Sequence, residues 1–302
     1  MNPSLRSINK FVLKSFKKDT TLLPIRQDLK GKTYIIAGGT RGIGFNIAKK
    51  LAVNGANVTI CGKTQKPHPK LEGTIYTAAE AISDASKRPS CMGLICDTRE
   101  PKQIDSAISQ TLSVFGSIDG VVLNASALCL NNTINQTEKE VKLMSSVNIN
   151  GTYLFGKKCL EVMNKQNEGQ MLLISPPLYM LYNSDWWVDH LYYSMSKYNM
   201  SLMAHMWDKE FDHISVNTLW PRTTIDTAPV RNILGGKEMV NVSRTPDIMG
   251  DAALHIFKAD PQLCTGKHFI DDEVLVSLDE DVEKYRVNKD VHEKDLMPDF
   301  FC

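Results

Sequence analysis

From Lys32 onward the chain alternates short, continuous apolar runs rich in β-branched residues with longer stretches in which apolar positions return every three or four residues. An unbroken apolar run of strand length reads as a strand dry on both faces, and a helical period between two such runs reads as a crossover helix. The alternation therefore predicts βαβ units closing a parallel sheet, an α/β doubly wound fold in a single domain. Strands are predicted at 33–37, 57–61, 92–96, 120–123, 170–175, 215–219 and 267–270, and helices at 42–54, 73–87, 101–115, 138–167, 193–208 and 247–258. Gly55, directly after Asn54, stands where a helix stop belongs. Between Thr223 and Arg244 the period weakens just past a predicted strand end, where sheets of this class bind ligands, so this segment is a candidate substrate lid. The 302 residues divide into an extension at 1–29, the domain at 30–278 and a tail at 279–302.

Composition narrows the class of partner. Hydrophobic residues at 42% and charged residues at 23% describe an ordinary folded protein without disordered or collagen-like bias. Thirty-five basic against 34 acidic side chains leave a net charge of +1, too little for the basic field on which nucleic-acid binding leans, so no nucleic-acid partner is expected. No apolar stretch approaches the roughly 20 residues of a membrane span, and none is expected. The seven cysteines are odd in number and scattered without metal-ligand spacing, which reads as reduced, mostly buried thiols in an intracellular compartment, with no metal site. The first 18 residues carry Arg6, Lys10, Lys14, Lys17 and Lys18 with no acid before Asp19, while Leu5, Ile8, Val12 and Phe16 recur at helical spacing. That composition fits a mitochondrial targeting segment, with a basic surface extension as the alternative. A mitochondrial location is expected on this basis, ahead of a peroxisomal or cytoplasmic one.

The first predicted strand runs directly into Gly38, Gly39, Thr40, Arg41, Gly42, Ile43 and Gly44 and then into a helix. A side chain in such a turn would keep a pyrophosphate from the backbone N–H groups at the helix N-terminus, so glycine there points to a dinucleotide. An acid at the end of the second strand would hold the adenosine ribose 2′-hydroxyl, whereas a base there accommodates a 2′-phosphate. The strand ends Cys61-Gly62-Lys63, and Lys63 with Arg41 offsets phosphate charge, which predicts NADP(H) rather than NAD(H). The alternative reading of Lys63 is a solvated loop lysine. Asp97, after the third strand, either accepts from the adenine amino group or caps the helix beginning near Pro101.

Tyr193 and Lys197 stand four apart at the start of a predicted helix, hence on one face. A phenol is a poor acid–base catalyst at neutral pH, and a neighbouring ammonium group favours phenolate, so the pair makes chemical sense together. Ser175 follows the fifth strand, on the edge of the sheet that carries the glycine turn, and its hydroxyl is either a donor to a developing oxyanion or a turn serine before Pro176. Asn148 lies inside an otherwise helical stretch, where it would kink the helix or hold a water, and Asn124 at the end of the fourth strand is read as a tie between loops.

Gly38 to Gly44, Asp97, Asn124-Ala125-Ser126, Asn148-Ile149-Asn150-Gly151, Ser175, Tyr193 with Lys197, and Asn217 to Pro221 occur in one order along the chain, and with them the sequence resembles the short-chain dehydrogenase/reductase family over roughly Lys30 to Val276. The resemblance implies a Rossmann-type sheet of about seven strands. It implies a catalytic tetrad of Asn148, Ser175, Tyr193 and Lys197, with Asn148 holding a water in a proton relay and Lys197 also contacting the nicotinamide ribose. It places Asn124 among the cofactor-binding residues. The sequence departs from the family's pattern at Leu123, Ser126 and Ala37, at Arg222 after the proline, and in the 18 positions separating Ser175 from Tyr193. These departures, the segment from Lys63 to Glu80 and Pro298-Asp299-Phe300-Phe301 resemble one branch of the family. Some of its members continue into a sterol-carrier lipid-binding domain, which is not expected before Cys302.

The expected activity is hydride transfer between nicotinamide and a carbonyl or secondary alcohol. Leu178, Tyr179, Met180, Leu181, Tyr182, Trp186 and Trp187, between two catalytic positions, point to an apolar, lipid-like substrate, or equally to a dimer surface or a packed lid. A homodimer or tetramer is the family's implication. The competing classes are a nucleotide-binding structural subunit of a larger, mitochondrial assembly and a lipid carrier with vestigial chemistry.

Overall fold

The computed structural model describes residues 28–69, 71–182 and 186–302, with Trp187 described by its backbone alone. The segment read as a targeting sequence lies outside these residues. Seven strands, all parallel, form one sheet in the order β3-β2-β1-β4-β5-β6-β7. They are β1 (Thr33–Ala37), β2 (Asn57–Gly62), β3 (Cys91–Ile95), β4 (Gly120–Leu123), β5 (Gly169–Ile174), β6 (Ile214–Trp220) and β7 (His268–Ile270). The order reverses between β1 and β4, the point at which a doubly wound sheet opens a crevice.

Successive residues of β1 face opposite layers. Tyr34 and Ile36 belong to the core beneath α1 (Gly42–Val53) and α2 (Ile75–Ser86), whereas Ile35 and Ala37 belong to the core beneath α3 (Pro101–Phe115). The first layer is completed by a later helix, Asp247–Lys258, which lies so close to α1 that a Cβ on Gly250 would stand 2.9 Å from Lys50 and 3.0 Å from the Asn46 carbonyl oxygen. The opposite layer contains the long helix predicted at 138–167. It begins as α4 (Glu138–Met144), entered through a capping box in which Thr137 N donates to Glu140 at 2.9 Å and Glu140 N to Thr137 at 3.3 Å. It then widens into a π-helical stretch, Ser145–Gly151, and resumes as α5 (Thr152–Gln166). The same layer holds α6 (Leu191–Glu210), which starts two residues before the predicted boundary.

The predicted lid, 223–244, contains two short helices that carried no clear period, α7 (Ala228–Asn232) and α8 (Gly236–Asn241). The helix Asp247–Lys258 is α9, and α10 (Asp271–Val276) follows β7 directly. None of the described helices is long and apolar enough to cross a membrane.

Residues 279–302 carry no long element, yet they fold back over the carboxyl edge of the sheet. Leu296 and Phe301 are buried, and Thr224 N donates to the Met297 carbonyl at 2.9 Å while Asp299 N donates to that of Arg222 at 3.0 Å. Phe301 adopts φ 73°, a left-handed conformation that a bulky residue takes at a cost. Its ring offsets that cost by packing 5.1 Å from Tyr198, 5.1 Å from Trp186 and 5.7 Å from Trp220. Phe301→Ala should therefore lower the unfolding free energy by about 3 kcal/mol in urea titrations. An unchanged midpoint would mean that the tail contributes nothing to stability.

Candidate active site

The glycine turn between β1 and α1 packs against β2 and β4 more closely than any side chain permits. Gly38 N and Gly39 N donate to the Cys61 carbonyl at 2.9 and 3.2 Å, and Gly38 has φ 82°. A Cβ on Gly38 would stand 2.9 Å from the Ala125 backbone, and one on Gly44 would stand 2.3 Å from the Gly38 carbonyl oxygen. Asn124 fastens this contact, its Nδ2 donating to the Gly38 carbonyl at 2.8 Å, which is the loop tie expected of it. The first turn of α1 holds no acidic residue, and Arg41 supplies no side-chain cap, so the leading N–H groups of α1 form an anion cradle.

A cavity of about 590 Å³ opens from this cradle along the carboxyl edge of the sheet. Thr40, Arg41, Lys63 and Asp97 line one end, and Tyr193, Lys197, Trp220 and Asp299 line the other. A larger open cleft of about 840 Å³, at the amino edge among Lys32, Asp119, Glu168 and Asp208, contains none of the residues singled out by sequence.

At the cradle end Arg41 is pinned, donating to the carbonyls of Glu72 and Gly73 at 3.0 and 3.2 Å and to the Thr64 hydroxyl at 3.3 Å. It thereby draws the segment after β2 over the glycine turn. Lys63 is more than half exposed and stands 3.7 Å from Asp97. The helix-cap reading of Asp97 does not survive, because Glu100 takes the N-cap position of α3. Asp97 is instead gripped by the Arg99 guanidinium at 2.5 to 3.1 Å, and that hydrogen bonding holds its carboxyl down to about 2.

At the other end the first turns of α6 carry Tyr193 and Lys197, 6% and 2% exposed, into the same wall. The Lys197 ammonium donates to the Ile174 carbonyl at 2.6 Å and lies 5.2 Å over the Trp220 ring. Burial lowers it to about 7, with Asp299 pulling the other way. The Tyr193 phenol is raised, first by burial and then by Asp299. The expectation that Lys197 depresses Tyr193 is thus not met, because the dry wall and then the Asp299 carboxyl dominate the phenol's surroundings.

Ser175 and Asn148 stand behind this wall, both fully buried. Ser175 Oγ is a buried hydroxyl with no hydrogen-bond partner among the described residues. Asn148 is spent internally: Nδ2 donates to the Ala127 carbonyl and to Ser196 Oγ, both at 2.9 Å, and Oδ1 accepts from Ala127 N at 2.6 Å. With Ser126 Oγ also donating to Oδ1 at 3.2 Å, this four-way grip falls within the π-helical stretch, a local widening of the helix at the residue for which the sequence reads a kink or a held water.

Sequence reasoning missed Asp299 and Phe300, which bring the tail into the cavity wall. Phe300 stacks on Trp186 at 4.1 Å, meets Tyr193 edge-on at 5.9 Å, and accepts from Trp220 Nε1 at 2.8 Å. The available signal was two adjacent phenylalanines closing an otherwise charged tail, which need somewhere to be buried. Trp186 also stacks on His190 at 4.1 Å, so this part of the aromatic insert is packed inward, whereas Tyr182 remains 83% exposed. Arg222, in place of the family's glycine, pairs with Asp272 at 3.2 Å and with Glu273, and its backbone N donates to Asp271 at 2.8 Å.

Residues 32–234 match the short chain dehydrogenase family. Hydroxysteroid dehydrogenase-like protein 2 of Mus musculus is 42% identical over 93% of this chain, which covers 56% of that protein. The chain thus spans little more than half of that relative's length. A solved chain from Xanthomonas campestris, 36% identical, superposes with a TM-score of 0.82 over 91% of this chain and 99% of its own. A short chain dehydrogenase from Mycobacterium thermoresistibile, also 36% identical, gives 0.79 over 90% and 95%.

The grip of Asn148 sets an expected outcome. Asn148→Ala leaves the Ala127 N–H and carbonyl unpaired in a dry wall and should cost about 1–3 kcal/mol in denaturant unfolding. A variant as stable as the parent would confine Asn148 to chemistry.

Proposed function

The chain belongs to the short-chain dehydrogenase family, and from that premise we propose that it is an NADP(H)-dependent oxidoreductase acting on the carbonyl or secondary alcohol of an apolar substrate. The observation that carries the reading is the continuity of one cavity from the anion cradle at α1 to Tyr193 and Lys197. The residues fit a dinucleotide: the glycine turn packs too closely for side chains and leaves the leading N–H groups of α1 without a side-chain cap, and Arg41 and Lys63 offer cationic charge for a 2′-phosphate at its rim.

When bound, nicotinamide supplies or takes the hydride at the carbonyl carbon. In the reductive direction Tyr193 gives a proton to the carbonyl oxygen and in reverse it takes one from the alcohol. By the family resemblance Lys197 is the cation that would offset the phenolate against the burial that raises the phenol, and Ser175, whose unspent hydroxyl lies just behind the cavity wall, is the donor implied for the oxygen as charge develops there. The apolar substrate is supported by the lining of Leu128, Leu143, Val147, Ile225, Val230 and Phe300, which has few groups to satisfy a polar molecule. Part of this lining comes from 223–244, the candidate lid, and the basic segment at 1–18 supports a mitochondrial location.

Tyr193→Phe should cut turnover of a carbonyl panel by a factor on the order of 10²–10⁴ while NADPH affinity, read by fluorescence titration, stays close to the parent's. Turnover within a few-fold of the parent would remove Tyr193 from the chemistry. Lys63→Ala should weaken NADPH by roughly tenfold and leave NADH unchanged, since the lost charge faces only the 2′-phosphate. An unmoved ratio of the two affinities would make Lys63 an ordinary loop lysine.

A further inference from the structure

Three rings meet at the catalytic end of the cavity, each in contact with the other two. Phe300 stacks on Trp186 with ring centroids 4.1 Å apart, and both meet Tyr193 edge-on at 5.9 Å. Trp186 does not line the cavity, so Phe300 is the member of the stack that a ligand beside Tyr193 would touch. The ring is held in place by its backbone, which is fastened on both sides. Phe300 N donates to Asp299 Oδ1 at 2.7 Å, the Phe300 carbonyl accepts from Trp220 Nε1 at 2.8 Å, and the buried ring of Phe301 anchors the next residue. Upstream, Asp299 N donates to the Arg222 carbonyl at 3.0 Å. The wall is therefore part of the fold rather than a loose flap. Little of Tyr193 remains open behind it: the residue is 6% exposed, and Ser175 is fully buried. The cavity measures about 590 Å³ in all, which a dinucleotide reaching from the α1 cradle to Lys197 has to share with the substrate. The space beside Tyr193 suits a narrow group, while Leu128, Leu143, Val147, Ile225 and Val230 continue the apolar lining for the rest of the molecule.

We propose that Phe300 is a specificity-determining residue of this site: the tail's ring limits one substituent of the reacting carbonyl to a small one, so that the substrate is a methyl ketone, or its secondary alcohol, at the end of an apolar chain. The proposal rests on the reading of Tyr193 as the proton donor and deepens it by naming the substrate class. It also adds a residue from outside the span matched to the family. A pinned ring acts by collision. Each methylene forced against it costs overpacking energy, whereas the same methylene on the other arm of the ketone gains burial along the apolar lining. The position of the carbonyl along a chain, and not the total apolarity of the chain, then decides the rate.

The test uses the straight-chain octanones, isomers that differ only in whether the carbonyl stands at the second, third or fourth carbon. With NADPH, kcat/KM of the parent should fall by about tenfold from the second-carbon to the fourth-carbon isomer. Phe300→Ala should bring the two within a few-fold of each other, chiefly by raising the fourth-carbon isomer. Binding is read without turnover by ¹³C NMR of tyrosine-labelled protein mixed with NADP⁺, which carries no hydride to give, and Tyr193→Phe identifies the Tyr193 signal. The second-carbon isomer should shift that signal in the parent, and the fourth-carbon isomer should shift it only in Phe300→Ala. Should Phe300→Ala fail to fold, Phe300→Leu takes its place, since it keeps an apolar side chain against Trp186 while removing the ring. A parent that treats the isomers alike, or a Phe300 variant that changes all of them by the same factor, overturns the proposal and leaves the tail as packing alone. So does a Tyr193 signal that no octanone moves. A signal that responds in the expected order in a protein that turns over no octanone upholds the wall and discards the enzymatic reading.

Discussion

A parallel sheet covered on both faces leaves no place for polar chemistry except its edges, and the arrangement of this molecule follows from that restriction. Tyr34 and Ile36 commit one face of β1 to the layer of α1 and α9, and Ile35 and Ala37 commit the other to the layer of α3, α5 and α6. The strand ends then carry everything that must meet water or ligand. At the carboxyl edge the crossovers diverge between β1 and β4, and the gap is narrow enough that Gly38, Gly44 and Asn124 have to interlock for the two strands to stay paired. The anion cradle is thus a by-product of packing as much as a device for binding.

The fold was legible because the constraint acts on every strand. Runs at 33–37 and 120–123 coincide with β1 and β4 at both ends, and the remaining strands differ by a residue or two at their termini. The cofactor end was legible for a related reason, since glycine leaves a local mark at a turn that excludes side chains. The catalytic end was legible only in part. The spacing of Tyr193 and Lys197 is helical and local, but the burial that shifts both, and the nearby Asp299 more than 100 residues on, come from tertiary packing that no periodicity records. The same holds for Asn148: its place in the helix is visible in sequence, whereas its partners Ala127 and Ser196 are set by tertiary packing.

Asp97 illustrates how a correct location can come with a wrong contact. A short acid just ahead of a helix suits an N-cap, but here the Asp97 carboxylate is taken up by Arg99 two residues on, which donates to it from both its backbone N–H and its guanidinium, while Glu100 stands at the N-cap. Arg222 behaves similarly. Where the family's pattern has a residue without a side chain, this chain has a guanidinium that gathers Asp272 and Glu273 and offers its carbonyl to the tail.

The two ends of the cavity are assembled from chain segments far apart in the order of synthesis. The cradle is built from residues 37–125, whereas the wall around Lys197 needs residues 297–302 to return across the whole carboxyl edge. As the chain emerges from the ribosome, the nucleotide end can close while the catalytic end is still open, and the last wall arrives when nearly all of the sheet is already in place. The order of synthesis thus makes the residues of the dinucleotide cradle available before those that bury the wall around Lys197.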